Sequence, residues 1–403
     1  MSLERASRSQ ALAWAKCTAA ACAVGVAHIS GASAQGASNI EIKLGLEGTY
    51  SDNFYYESSN ERAVTGAILS PTVEYTRDSA TTTIGLTAKG EFAAYNYGNE
   101  DNYSDGLGSA AINFKLPRNL VLGFTGIAEY GHDPFGTART EGQPSQNQTL
   151  DEWSQYTGSV ALVGGQAESS HLGFELEYAS LMREYQTNET STQFLDRQFN
   201  SASATLLYHF SPKLSVLAQG TFLELEYDQV QAGTIDRSGD AAVGLIGVRW
   251  AATAKTSGDI RIGQGKWMPD SSAVRDIDSS YYDASITWSP TKRTTLSLAG
   301  SREYTPTYRF DAVYIDAQTF RLQWSEVWSY RWSTALVLAY SERDFVGATE
   351  KHDVVSVTGR LAYQLDRGLN IYVSSRYLDR DAVNVSEQFE TNSAMIGLEA
   401  KLN

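Results

Sequence analysis

The sequence contains little cysteine, little proline and no long hydrophobic run. The only two cysteines among its 403 residues are Cys17 and Cys22, both close to the start. Mean hydropathy is −0.31 and 42% of the residues are hydrophobic, which leaves no apolar segment of about 18 residues that could form a membrane-spanning helix. Metal and phosphate motifs such as H-E-x-x-H, an EF-hand loop or a glycine-rich phosphate loop are also missing. These absences exclude a disulfide framework and a helical membrane protein.

The first 34 residues have the pattern of a secretory signal peptide. Arg5, Arg8 and Lys16 are basic, residues 17–29 are apolar and rich in alanine, and Ala32-Ser33-Ala34 is a typical cleavage site. We therefore expect an exported chain that begins at Gln35, with residues 35–403 as a single domain. Both cysteines would be removed with the signal. The formal net charge of −15 argues against nucleic acid as a partner.

A two-residue alternation dominates the rest of the chain, and residues 355–377 show it most clearly. Apolar or small residues occupy every second position up to a turn at Asp366-Arg367-Gly368, after which the alternation resumes. Successive side chains of a β-strand point to opposite faces, and a tilted strand needs about 9–11 residues to cross a bilayer. The segment therefore predicts two membrane-spanning strands joined by a tight turn.

The same unit recurs along the chain and predicts about 18 strands. Connections alternate between short ones, near residues 78, 118, 166, 212, 254, 291, 327 and 367, and long polar ones, the longest at 131–152. The fold class is therefore an all-β, transmembrane antiparallel β-barrel with short periplasmic turns and long extracellular loops. This places the protein in the lipid of the outer membrane of a Gram-negative bacterium, with both termini periplasmic. In the ninth strand the apolar positions shift by one, to Leu223, Leu225 and Tyr227, which predicts a β-bulge.

The polar residues predicted to face the lumen carry charges that are unevenly distributed. The first half of the barrel contributes an acidic wall, and the second half contributes an arginine wall that would face it. Two interpretations remain open: a field across the pore that binds carboxylates or sugar hydroxyls, or a network of ion pairs that only fills the barrel. The acidic wall consists of Glu41, Glu47, Glu74, Glu91, Glu129, Glu175, Glu177, Glu224 and Glu226; the arginine wall consists of Arg249, Arg261, Arg321, Arg343, Arg360 and Arg376.

Catalytic or metal-binding groups are not predicted. The adjacent pairs His132-Asp133 and His352-Asp353 fall in predicted external loops, where solvated side chains are the simpler interpretation. We therefore expect no enzyme activity, no cofactor and no metal site. The loop 131–152 could fold into the barrel as a constriction or remain outside it, and the sequence does not decide between these arrangements.

Two short segments carry a family resemblance. Residues 49–56, with the sequence TYSDNFYY, and residues 376–381, with the sequence RYLDRD, resemble segments of outer-membrane β-barrel porins found in bacterial exopolysaccharide gene clusters. The resemblance implies a pore that takes part in export of an extracellular polysaccharide, with periplasmic export components as partners. The alternative is a general or sugar-selective diffusion porin for uptake of small polar solutes.

Overall fold

A computed structural model describes residues 38–97, 101–143, 149–165, 170–253 and 255–402. The described residues form one closed antiparallel sheet of 18 strands in sequential order, which confirms the predicted fold class and strand number. The predicted signal peptide lies outside the described residues. The strands are β1 (Ser38–Ser51), β2 (Val64–Asp78), β3 (Thr82–Tyr95), β4 (Tyr103–Leu116), β5 (Leu120–Asp133), β6 (Asp151–Gly164), β7 (Leu172–Tyr185), β8 (Arg197–Ser211), β9 (Leu214–Tyr227), β10 (Gly239–Thr253), β11 (Thr256–Pro269), β12 (Ile277–Trp288), β13 (Thr294–Thr305), β14 (Tyr314–Val327), β15 (Trp332–Val346), β16 (Lys351–Asp366), β17 (Leu369–Ala382) and β18 (Phe389–Lys401).

Pairing of the first strand with the last closes the barrel. The β1–β18 register runs from Lys43 opposite Lys401 to Ser51 opposite Ser393, and closure leaves no exposed sheet edge. The start of β1 and the end of β18 both lie at the end of the barrel that carries the short connections.

Alternation along the strands produces an apolar outer surface and a largely polar inner one. In β1, Ile40 (53% exposed) and Leu46 (52%) point outward, whereas Glu41 and Glu47 point inward and are partly covered. Exposed leucines, isoleucines and aromatics continue around the ring, as an outer face in contact with lipid requires. Among the described residues, no helix has the length and apolar character needed to cross a membrane.

Connections alternate in length as predicted, but several long ones are shorter than expected. Strands have 12 to 16 residues, more than a bilayer requires, so they continue past the membrane and take up part of the predicted loops. The connection predicted at 342–353, for example, consists only of residues 347–350. The one between β5 and β6 is residues 134–150.

The predicted bulge in β9 is wrong. From Ser215 to Leu225 the strand pairs with β8 and β10 without a register shift, so Leu223 and Leu225 are buried inside the barrel. Glu224 and Glu226 are exposed on the outer face, and the prediction that they line the lumen is corrected. The alternation misled because the barrel interior is apolar at this point, so hydrophobicity no longer marks the side that faces lipid.

Candidate functional site

A cluster of apolar and aromatic side chains fills one side of the lumen near the long connections. Trp267, Tyr281, Tyr304 and Tyr314 form its centre, with ring centroids 4.7–5.4 Å apart. Leu223 and other buried side chains of β7 to β11 complete it. The cluster explains why the inward face of β9 is apolar. It also leaves the open part of the lumen on the opposite side, along β1 to β7 and β16 to β18.

Residues 134–143 of the connection between β5 and β6 fold inward, and we call them the crossing loop. Near its start Phe135 packs on Tyr55, with ring centroids 6.0 Å apart. Gly136 has a φ of +73°, and a Cβ at this position would lie 2.0 Å from the Tyr55 carbonyl oxygen, so only glycine permits this approach. Arg139 forms a bidentate ion pair with Asp151, with both N–O distances 2.8 Å.

The far end of the crossing loop is held by the opposite wall. The Arg380 guanidinium, on β17, donates to Glu141 Oε1 at 2.6 Å. The Tyr308 hydroxyl donates to Glu141 Oε2. Tyr308 belongs to the connection between β13 and β14, and eight strands, β6 to β13, separate it from the crossing loop along the sheet. The loop therefore spans the long-connection end of the barrel and constricts it, which resolves the alternative that the sequence left open.

Buried charged residues surround the tip of the crossing loop, and we call this group the anchor cluster. His352 Nε2 lies 2.9 Å from Glu387 Oε2, and Arg309 donates to Glu387 Oε1 at 3.0 Å. Burial raises the pKa of Glu387, but hydrogen bonds from His352 and the charge of Arg309 outweigh this effect and lower it to about 2. The anchor cluster consists of Glu141, Arg309, Glu350, His352, Arg380 and Glu387.

Beside the crossing loop lies a cavity of about 530 Å³, within the range of about 300–1,000 Å³ typical of small-molecule sites. Its lining combines carboxylates, cations and aromatic rings. Glu91 and Glu129 lie on one side and Arg376 on the other. Rings of Tyr103, Trp153 and Phe135 complete the lining. Such a mixture of charged groups and flat apolar rings suits small polar molecules with apolar faces, such as sugars.

The arginine wall divides into paired and unpaired members. Arg249 forms ion pairs with Glu175 and Asp259, and Arg261 pairs with Asp259. Within the described residues, Arg321, Arg360 and Arg376 form no hydrogen bond or ion pair, although Arg360 lies 3.6 Å from the Tyr372 ring centroid. Arg343 lies on the inward face of β15.

Most members of the acidic wall have partners. Lys43 lies close to both Glu41 (2.8 Å) and Glu74 (3.5 Å), and Tyr372 donates to Glu47. Three of the other inward carboxylates are also paired: Glu91 with Lys89, Glu129 with Gln155 and Glu175 with Arg249. Glu177 is the exception, since one of its buried oxygens has no hydrogen-bond partner among the described residues. Among the described residues, ion pairs therefore fill much of the lumen, and arginines without an ion pair remain on β14, β16 and β17.

Neither histidine pair has the environment predicted for it. His352 is part of β16 and is fully buried, and His132 is part of β5, with its Nδ1 3.0 Å from Asp105 Oδ1. Both lie in strands because these continue beyond the predicted ends. The sequence analysis did not single out Glu141, Tyr308 or Glu387. Two members of the anchor cluster do stand out in the sequence: Arg380 lies in a segment that carries the family resemblance, and His352 belongs to a histidine–aspartate pair whose predicted environment is a solvated loop.

The closed barrel, its apolar outer face and its constricted polar lumen define an outer-membrane channel of Gram-negative bacteria. The family model described as "Putative beta-barrel porin 2" matches residues 39–402, so the chain belongs to this porin family. A comparison with curated protein sequences finds no match.

Solved porin structures with similar topology include three bacterial proteins. OccK11 (OpdR) of Pseudomonas aeruginosa is 15% identical, with a TM-score of 0.45, and the match covers 91% of this chain and 96% of that one. OccAB3 of Acinetobacter baumannii is 11% identical, with a TM-score of 0.47, and the match covers 90% of this chain and 99% of that one. Pseudomonas aeruginosa OccK2 (OpdF) in complex with glucuronate is 10% identical, with a TM-score of 0.47, and the match covers 91% of this chain and 99% of that one. Similarity at this level carries no information about the solutes of this chain.

Proposed function

We propose that this porin is a diffusion channel for small polar solutes of sugar size. The observation that supports this proposal is the crossing loop, which packs on Tyr55 near its start and is held near its tip by the ion pairs Arg139–Asp151 and Arg380–Glu141. A pore that passes a polysaccharide strand needs a continuous wide bore, and this loop narrows the bore. The family resemblance pointed first to polysaccharide export, but no contact within the described residues favours it over uptake of small solutes.

Solutes would enter at the long-connection end and pass between the crossing loop and strands β1 to β7. The long connections would then be extracellular, and the short turns and both barrel termini periplasmic. Within the cavity, Arg376 would be the anchor for a carboxylate or hydroxyl group because it forms no ion pair with any residue that the structure describes. Glu91 and Glu129 would accept hydrogen bonds from hydroxyl groups on the opposite side of the solute.

Liposome swelling with solutes of increasing size tests the size limit. We expect monosaccharides and sugar acids to enter vesicles that contain the purified porin, and polymeric dextrans to be excluded. Empty vesicles and vesicles with heat-denatured protein are the controls. Passage of dextran at a rate close to that of glucose would overturn the proposal and restore polysaccharide export.

Planar-bilayer recordings under a salt gradient test the role of the unpaired arginines. The triple substitution Arg321→Gln, Arg360→Gln and Arg376→Gln should shift the reversal potential toward cation selectivity, because it removes three positive charges from the lumen. The matched control replaces three arginines in short turns, Arg118, Arg293 and Arg331, by glutamine. An equal shift in both variants, or none in the first, would remove the arginines from the pathway.

A further inference from the structure

His352 stands at the centre of the anchor cluster with one ring nitrogen unpaired. Its side chain has no solvent exposure. Nε2 lies 2.9 Å from Glu387 Oε2 and 3.4 Å from Glu350 Oε1. A proton on Nε2 satisfies this contact, and Nδ1 then carries a lone pair. Nδ1 is buried and has no hydrogen-bond partner.

A carboxylate lies close enough to Nδ1 for the two groups to bind the same metal ion. Glu141 Oε2 lies 4.0 Å from His352 Nδ1, too far for a hydrogen bond. Zinc binds imidazole nitrogen and carboxylate oxygen at about 2.0–2.2 Å with tetrahedral geometry, so an ion would bridge the two atoms after they move somewhat closer than 4.0 Å. Each of Glu141, His352 and Glu387 places one potential ligand atom within 4.8 Å of those of the other two.

The contact that His352 makes through Nε2 also fits a metal site. A ligating histidine usually donates its other ring N–H to a carboxylate, which fixes the tautomer and the ring orientation. The contact between His352 and Glu387 has this arrangement, and it leaves Nδ1 directed toward Glu141.

We propose that the anchor cluster binds a divalent transition-metal ion of the zinc class through His352 Nδ1 and the Glu141 carboxylate, while Glu387 accepts from Nε2 of the same imidazole. Imidazole combined with carboxylate suits zinc and its neighbours rather than calcium or magnesium. The ion would join the crossing loop directly to β16, and the contact between His352 and Glu387 would link both to the connection between β17 and β18. Metal binding would therefore hold the constriction in place. The sequence did not predict it because Glu141 and His352 come from separate segments.

Metal binding to the folded barrel in detergent is the direct test, and the purification tag must contain no histidine. After treatment with EDTA and buffer exchange, equilibrium dialysis against zinc chloride followed by elemental analysis should give one zinc per chain. Cobalt(II) chloride should produce visible d–d absorption bands. Wild-type protein that binds no zinc above the level of a histidine-free porin would overturn the proposal.

Variants assign the binding to this cluster. His352→Gln and Glu141→Gln should each weaken zinc binding at least tenfold, whereas His171→Gln, near the short connections, should retain wild-type affinity. A shift in electrophoretic mobility on heating shows which variants are folded, and His352→Asn replaces His352→Gln if the latter fails this check. Unchanged zinc affinity in a folded His352 variant would also overturn the site. Size selection in the swelling assay is measured separately, so failure of the metal site does not decide the solute proposal.

Discussion

Arg380 shows how one residue connects distant parts of the pore. It is 3% exposed and donates to Glu141 Oε1 at 2.6 Å and to the Glu387 backbone carbonyl at 2.7 Å. Its guanidinium also lies 4.5 Å from the centroid of the Phe389 ring. A buried cation with this many partners is costly to lose, because the carboxylate that remains has neither water nor a counter-ion.

Replacing Arg380 by methionine should release the far end of the crossing loop. We expect a loss of about 3–5 kcal/mol in the free energy of unfolding and a larger, noisier single-channel conductance. Folding into lipid vesicles at increasing urea concentrations and planar-bilayer recordings measure the two effects. The control is Arg331→Met, which removes an arginine from an exposed short turn. A conductance distribution identical to that of wild type would show that Arg380 does not hold the constriction.

At the scale of strands, alternation predicted the fold wherever the two faces differ in polarity. The hairpin of β16 and β17 is an example: Val355, Leu361 and Val373 are exposed to lipid, and the turn lies at residues 367–368 as predicted. Alternation failed in β9, where both faces carry apolar residues. It also could not predict the crossing loop or the anchor cluster, because their contacts join residues of different connections, and no periodicity records such pairs.

Two adjacent positions on β17 test the assignment of inner and outer faces. Val373 is 48% exposed on the outer face, whereas Ser374 lines the cavity. Val373→Lys should cost about 2–4 kcal/mol of folding free energy, because the charge enters the lipid near the middle of the strand. Ser374→Lys should cost much less, since its ammonium group remains in the wet lumen. Urea titration of folding into vesicles, followed by tryptophan fluorescence, measures both. Equal losses in the two variants would contradict the assignment.

At the scale of the whole molecule, the barrel depends on the seam between its first and last strands. Asp52 closes this seam at the long-connection end. Its carboxylate accepts from the Asn392 backbone N–H at 2.7 Å, from Asn392 Nδ2 at 3.0 Å and from Thr391 Oγ1 at 3.1 Å. Burial raises the pKa of Asp52, but the hydrogen bonds from Asn392 and Thr391 outweigh it and lower the pKa below its usual value. The segment 49–56, which carries part of the family resemblance, therefore helps to close the barrel.

Replacing Asp52 by alanine should weaken the seam in a pH-dependent manner. Because the pKa is lower in the folded barrel than the usual value of about 3.9, the carboxylate stabilises the fold fully above that value and loses its contribution as the pH falls through the lowered pKa. We expect Asp52→Ala to lose about 1–3 kcal/mol of unfolding free energy at pH 7, with the difference from wild type shrinking as the pH falls below about 4. Urea titrations in vesicles across this pH range measure the difference in unfolding free energy.

The control is Asp276→Ala, which removes an exposed ion pair with Lys266 and should change the unfolding free energy by less than about 0.5 kcal/mol. A loss for Asp52→Ala that stays constant with pH would mean that the seam depends on the shape of the side chain rather than on its charge.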